Sequence, residues 1–361
     1  MEASQQGAEG ETATQGSKPV VCFLGPVTSY THQAAMQTFS PDRYELLPVV
    51  TIKGMCLLLH AAGRAHDWGR RTTDVFETTQ SGRAAYGVVP FENSTNGSVV
   101  FTLDHFADRE GRYGDLSVCG EAYLDVHHCL LGRLPNAAAA DGAGPESSSL
   151  PAGPKGQPLA SLAHVQRIYS HPQAWGQCTR FMGAHLRGIE TIDVSSTSRA
   201  AELAATDASG TSAAISSALA GEANGLGFLA RDIEDRDDNT TRFFVLRKLG
   251  ADADAAGDDA GDAWWRRPAG RKTKSLASFT VPHTAPGALA GVLECFRQGG
   301  LNLTSINSRP SLIEPFQYVF FVEFEGHRLE DPNGRVRDVL EGVGRVAQSW
   351  RWLGSWVNMR V

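Results

Sequence analysis

The chain of 361 residues contains no run of about 18 apolar residues, which excludes a single-helix membrane span. It contains no Cys-x-x-Cys pair, so neither a zinc ribbon nor a dithiol redox site has a signature here. Its cysteines, Cys22, Cys56, Cys119, Cys129, Cys178 and Cys295, are scattered singly, and several sit in apolar runs and read as small buried hydrophobes in a reducing compartment. A phosphate loop is also missing: Gly25-Pro26 lacks the Gly and Lys spacing of a Walker motif, and no GxGxxG follows the first apolar strand. Positive charge is not in excess. Lys plus Arg is 33 against 40 for Asp plus Glu, a net charge of −7, which argues against nucleic acid as a main partner. Residues Met1 to Lys18 have neither the apolar centre of a secretory signal nor the Arg-rich, acid-poor character of a transit peptide, so the default location is cytoplasmic.

The hydrophobic fraction of 42% and charged fraction of 20% belong to a globular protein with real cores. The length suits two or three domains at roughly 150 residues each. Residues 1–18 are polar and small and predict a disordered tail. Residues 133–160, rich in Ala, Gly, Pro and Ser, predict a flexible surface insertion. Residues 250–272, acidic and then basic, predict an interdomain linker. Two folded units remain, 19–249 and 273–361.

The first unit alternates strand and helix signals, which predicts an α/β domain with a mainly parallel sheet or sheets. Strands are expected at Val20–Leu24, at Tyr86–Val89 with a stop at Pro90, and at Val165–Tyr169. Residues 121–131 alternate and predict one long strand crossing between two lobes. The second unit has the order βαββαβ, a ferredoxin-like arrangement. Its aromatics Phe316, Tyr318, Phe320, Phe321 and Phe324 have strand spacing and are expected in the core.

Five strand-to-helix junctions of the first unit carry hydroxyl or amide side chains: Gly25–Thr31, Glu92–Gly97, Ser170–Gln173, Ser195–Ser198 and Ser216-Ser217. Ligands of open α/β sheets sit at such ends, where helix N-termini favour anions. The plain alternative is that these residues are N-caps. The segment Asp235–Phe244 passes from a charged turn through Thr240, Thr241 and Arg242 into a buried strand. An arginine beside hydroxyls holds a carboxylate well, although a solvated Arg242 fits the pattern too. His127 and His128, adjacent on a strand, point to opposite faces and do not converge on a metal. His32 and His171 lie near helix starts, as general bases or as hydrogen-bonded structural residues.

Taken together, these segments resemble the prephenate dehydratases. Cys22-Phe23-Leu24-Gly25-Pro26 with Ser29-Tyr30-Thr31-His32-Gln33 is similar to the family's opening motif. Val88-Val89-Pro90-Phe91-Glu92-Asn93-Ser94 and Tyr169-Ser170-His171-Pro172-Gln173 resemble later blocks, and Asn239 with Thr241-Arg242-Phe243 resembles the catalytic segment. Gly287-Ala288-Leu289 and Asn307-Ser308-Arg309-Pro310 resemble the two phenylalanine-contact motifs of an attached ACT domain.

The resemblance implies a two-lobed catalytic domain like type 2 periplasmic binding proteins, with the active site between lobes, plus a ferredoxin-like regulatory ACT domain. It implies conversion of prephenate to phenylpyruvate in phenylalanine biosynthesis, without metal or organic cofactor. Thr241 is then the expected proton donor. Ser29, Glu92, Asn93, Ser94, Ser170, Asn239, Arg242 and Phe243 are expected at the substrate. Gly287, Ala288, Leu289, Asn307, Ser308, Arg309 and Pro310 are expected to bind phenylalanine, in a homodimer or homotetramer. Two departures stand out: Asn307 where the family usually has Glu, and Val27-Thr28 where it has Glu or Lys and then Gly. Arogenate as substrate, or an amino-acid sensor without catalysis, are the alternatives.

Overall fold

A computed structural model describes residues 18–49, 74–134, 155–249, 270–282 and 284–360. Most of the expected tail, insertion and linker lies outside the described residues. The insertion's last residues do not: Pro158 bridges to Ala230, and Leu159 N–H donates to Leu229 O.

The first lobe holds strands β1 (Val20–Leu24), β2 (Glu45–Val49), β3 (Tyr86–Asn93), β4 (Gly97–Ser98), β5 (Leu116–Asp125) and β11 (Thr240–Lys248). Helices α1 (Tyr30–Thr38), α2 (Val75–Gln80) and α3 (Val100–Ala107) accompany them. The second lobe holds β6 (Cys129–Gly132), β7 (Arg167–Ser170), β8 (Glu190–Asp193), β9 (Ser212–Ser216) and β10 (Gly227–Ala230). With them run α4 (Pro172–Trp175), α5 (Thr179–His185), α6 (Thr197–Thr206) and α7 (Ala218–Ala223). The C-terminal domain runs β12 (Thr273–Thr280), α8 (Ala288–Gln298), β13 (Leu303–Pro310), β14 (Tyr318–Glu325), α9 (Arg335–Val346) and β15 (Ser349–Val357), the expected βαββαβ order.

Two sheets result. One has the order β13-β14-β12-β15-β5-β11-β3-β1-β2, with β4 on β3; the other has the order β10-β6-β9-β7-β8. Both are mixed rather than mainly parallel. β1 is parallel to β2 and β3, whereas β11 is antiparallel to both β3 and β5. The reason is that the chain leaves the first lobe through β5 and returns through β11, so the returning strand runs back along its neighbours. Residues 121–131 do cross between lobes, but as two strands: β5 ends at Asp125 and β6 starts at Cys129. The second crossing is 231–239.

β3 continues three residues past Pro90. Proline cannot donate to the ladder, and the strand tolerates it through a register shift, with Arg242 opposite Glu92 and Phe243 opposite Pro90. Alternation along β11 then separates two faces. Phe243 and Val245 pack with Phe23 and Val88 in the cluster that takes in Ala34 and Ala35 of α1. Phe244 and Leu246 face the opposite cluster, with Phe106, Leu276, Phe321 and Trp356. Burial of each such side chain stabilises by about 1.5–3 kcal/mol.

The C-terminal sheet joins the first lobe edge to edge, with Gly354 of β15 beside Val118 of β5. Gly354 has φ +144°, and a Cβ there would lie 2.1 Å from Val118 O. Only glycine fits that approach. Arg351 donates to the carbonyls of Tyr113, Gly114 and Leu116, which closes the neighbouring edge of β5. Of the expected core aromatics, Phe321 and Phe324 are buried and Phe320 is half-buried, but Tyr318 is exposed and Phe316 is 85% exposed. It sits in the turn before β14 with φ 62°, outside the period-two pattern of the strand.

Candidate active site

The amide of Asn93, the last residue of β3, is the hub of the first-lobe side. Its Oδ1 accepts the backbone N–H groups of Thr95 and Asn96 (3.0 and 2.9 Å), which fixes the amide's orientation. Its Nδ2 therefore faces the other way and donates to Asn239 Oδ1 and Thr241 Oγ1, both at 2.9 Å. An N–H delivered to Oγ1 occupies an acceptor site and leaves the threonine proton free for donation. Asn239 is 2% exposed, and its Nδ2 meets no protein acceptor. A buried amide donor without a partner is costly unless a ligand or water takes it.

Thr241 lies on the α1 face of β11, level with Leu124 and Asn93 in the ladder. This is the carboxyl-terminal end of β3, next to the parallel β1. Here the loop after β1 meets the second lobe. Ser217 Oγ, at the start of α7, donates to Thr28 O at 3.5 Å. Thr28 holds φ 75°, an uncommon conformation for a β-branched residue, and its N–H donates to His32 Nδ1 at 3.1 Å.

A second link sits at the strand break. Tyr30 Oη lies 3.0 Å from His128 Nδ1, and His128 Nε2 lies 2.6 Å from Gln177 Oε1 in the second lobe. Tyr30 Oη donates to His127 O at 2.9 Å, and the His128 ring bridges the Tyr30 hydroxyl and the Gln177 amide. Burial pushes the His128 pKa below its ordinary 6.5, so the ring is neutral. Burial also raises the Tyr30 pKa well above 10.0. The carboxylate of Glu234, itself buried, accepts from His128 N–H and faces His127 Nδ1 (both 2.9 Å). The two histidines thus diverge. His127, Asp232 and Glu234 put ligand atoms within 4.8 Å of one another, and Lys155 Nζ already lies 3.6 Å from Glu234.

Several expected substrate contacts are placed otherwise. Arg242 does not face the crevice. It projects from the opposite side of β11 and is buried against the carboxylates of Glu121 and Glu323. Glu92 lies on that same side, 3.9 Å from Arg242 Nη1. Phe243 is 1% exposed and belongs to the α1 core. Ser29 is the N-cap of α1: it accepts from His32 N–H and donates to Leu24 O. Ser170 donates to Ile215 O and ties β7 to β9. Ser94 accepts from Thr240 N–H and donates to Asp238 O. His171 caps α4. Ser29 and His171 are helix caps, whereas Ser94 and Ser170 are held by strand and turn backbone.

The expected effector residues divide in two. Gly287, with φ 78°, precedes Ala288 and Leu289 at the start of α8. On β13, Asn307 accepts from Ser98 Oγ, and Arg309 makes a double hydrogen bond to Asp104 (2.8 and 3.0 Å). Pro310 O accepts from Arg109, whereas Ser308 is exposed. The β13 motif is thus fastened to the first lobe. A cavity of about 740 Å³ opens between that lobe and the C-terminal domain, beside Arg109, Ser311 and Trp350, and none of the expected substrate residues lines it.

Tyr30, His128 and Gln177 were not singled out from sequence as a set, because their contact links positions 98 and 49 residues apart. Among the described residues no helix is long and apolar enough to cross a membrane.

A family model described as prephenate dehydratase matches residues 67–250. A bifunctional chorismate mutase/prephenate dehydratase of Aquifex aeolicus is 33% identical over 336 residues, covering 93% of this chain and 73% of the relative. A prephenate dehydratase of Mycolicibacterium vanbaalenii is 31% identical, covering 79% of this chain and 76% of the relative. Among solved structures, a prephenate dehydratase from Arthrobacter aurescens in complex with L-Phe superposes with a TM-score of 0.68 at 27% identity, covering 94% of this chain and 90% of that one. The two-lobed fold, the Asn93–Thr241 pair at its strand ends and these matches agree: the chain belongs to the prephenate dehydratase family.

Proposed function

We propose that the chain converts prephenate to phenylpyruvate between its two lobes, with Thr241 as proton donor, and that phenylalanine binding at the C-terminal domain inhibits it. Prephenate carries a carboxylate and a hydroxyl on opposite ends of one ring. Loss of both makes the ring aromatic, which drives the reaction. The departing CO₂ leaves its bonding electron pair in the ring, and the C–O bond breaks as those electrons shift. No base is needed. The leaving oxygen needs a proton, and the ring needs to be held in a dry site.

The Asn93 amide carries the reading. Locked by two backbone N–H groups, it donates to Thr241 Oγ1 and so directs the threonine proton away from itself. That proton is available to the departing hydroxyl. The buried Asn239 shares the Asn93 amide with Thr241, its Oδ1 accepting from Asn93 Nδ2, and so helps to hold that amide in place. A threonine hydroxyl is a weak acid, so it acts as one member of this network. General acid catalysis contributes typically ~10²–10⁴-fold, and positioning supplies the rest.

The test is direct. Purified full-length protein is mixed with prephenate or arogenate, and phenylpyruvate and phenylalanine are measured with and without added phenylalanine. Phenylpyruvate formed from prephenate and suppressed by phenylalanine is the expected result. Turnover of arogenate alone, or ligand binding with no turnover, would replace this reading.

A further inference from the structure

We propose that Glu323 and Lys274 of the C-terminal domain are positioning residues for Thr241, acting through Arg242; this rests on the role given to Thr241 above. Arg242 follows Thr241 directly on β11 and points to the opposite face, into the seam between the two domains. Its Nε donates to Glu121 Oε2 at 2.8 Å, and its Nη2 reaches both Glu121 and Glu323. Lys274 Nζ lies 3.5 Å from Glu121 and 3.4 Å from Glu323. The rings of Phe244 and Phe91 lie 4.8 and 5.4 Å from the guanidinium carbon and help shut out water.

Every acceptor position is defined. Thr304 Oγ1 donates to Glu323 Oε1 at 2.6 Å, and Met359 N–H donates to Glu121 Oε1 at 2.9 Å. Glu92, 3.9 Å from Nη1, is the other carboxylate facing Arg242. Burial alone would raise the Glu323 pKa, but Arg242 and Lys274 hold it below its ordinary value, so the carboxylate is charged.

Buried ion clusters are poor stabilisers, because desolvation offsets attraction; their best-attested use is to fix geometry. The geometry fixed here is that of β11 beside a bulge in β3. The extra residue, Phe91, belongs to β3, and β11 runs past it in unbroken register with β5 from Thr240 to Val245. Arg242 lies opposite Glu92 at that bulge with Thr241 next outward opposite Asn93, so anchoring Arg242 holds β11 where its ladder to β3 is interrupted.

The fully buried charges divide between the domains: the first lobe supplies Arg242 and Glu121, and the C-terminal domain supplies Lys274 and Glu323, while the half-buried Glu92 adds a further carboxylate on the first-lobe side. Separation of the domain would take the Glu323 anchor from Arg242. A domain that binds an effector is thereby connected to the reacting hydroxyl through one side chain.

The experiment compares wild type, Glu323→Gln, Glu323→Asp and the double variant Lys274→Met/Glu323→Gln, all full-length. Steady-state kinetics on prephenate, thermal melting and hydrogen exchange at residues 240–242 are read for each. Glu323→Gln is expected to lower kcat about tenfold or more with KM within about twofold, because misplacement by a fraction of an ångström acts on the chemical step. Glu323→Asp recovers part of the loss. The double variant restores charge balance, so its melting temperature recovers while kcat stays low. Exchange at 240–242 quickens in Glu323→Gln and not in β9. Wild-type kcat in Glu323→Gln, or recovery of kcat together with melting temperature in the double variant, would overturn the proposal and leave only a structural role. Should wild type not turn over prephenate, the functional reading fails separately, and unchanged exchange at 240–242 would refute the anchoring itself.

Discussion

Replacing Thr241 by valine keeps the side chain's shape and removes only its hydroxyl. Two costs follow from the geometry. The first is structural. Asn93 Nδ2 loses one of its two 2.9 Å acceptors and keeps Asn239 Oδ1, with only the longer contact to Thr240 O at 3.4 Å left for its second N–H. An unmet buried donor costs about 1–3 kcal/mol, and Thr241 is half-buried, which puts the cost near the lower end. The second is chemical. Loss of a general acid lowers kcat by ~10²–10⁴, or about 2.7–5.4 kcal/mol at 1.36 kcal/mol per tenfold. The chemical cost exceeds the structural one, so the variant should fold and melt within a few degrees of wild type yet lose at least about a hundredfold in kcat. Thr241→Ser keeps the hydroxyl and should stay within about tenfold of wild type. The assay is phenylpyruvate absorbance under saturating prephenate, alongside thermal melting by circular dichroism. A folded Thr241→Val with kcat near wild type would show that the hydroxyl donates no proton in the rate-limiting step.

Gly354→Ala should lose more than about 3 kcal/mol of stability, because the new methyl meets Val118 O at 2.1 Å; a split melting curve would report separation of the domains, and an unchanged curve would contradict the seam. For His128 the folded pKa lies below 6.5, so the unfolded chain binds the proton first; stability is full above pH 6.5 and falls as pH drops toward the folded value, by up to about 1.4 kcal/mol per pH unit. Urea titrations at pH 7.5, 6.5 and 5.5 should show this slope in wild type and a shallower one in His128→Asn. Arg309→Ala and Asp104→Asn break the same interdomain pair, so each should shift the phenylalanine concentration for half-inhibition in one direction, and the double variant should add little; additive shifts would mean that the two residues act independently.

Local signals were enough for much of this architecture. The run Val20–Leu24 reads as a strand because five apolar residues end at Gly-Pro, and the βαββαβ order of the C-terminal domain follows from its two helical stripes. Short elements escaped. β2 contains Pro48, and α2 has six residues, too few for a helical period to declare itself. The harder loss was at Arg242. Next to two threonines it looks like a ligand for a substrate carboxylate, but its true partner, Glu323, lies 81 residues further on, and no local pattern announces that pairing. Likewise the hydroxyls of Ser29 and Ser94 are of the right kind for a site, yet each is used up by the backbone around it. Asn93 and Thr241 were singled out because they belong to motifs, and the geometry shows that the two are hydrogen-bonded.

Open strand edges invite other chains to pair with them, and two separate sheets would offer four such edges instead of two. By laying β15 against β5 the chain hides one edge from each. Among the described residues, what remains at one end is β2, whose Pro48 lacks a donor, and at the other β13, which finishes in Arg309 and Pro310. The contact between the two domains therefore also protects the molecule against unwanted strand-to-strand aggregation, and a variant that parts them should become less soluble as well as less active.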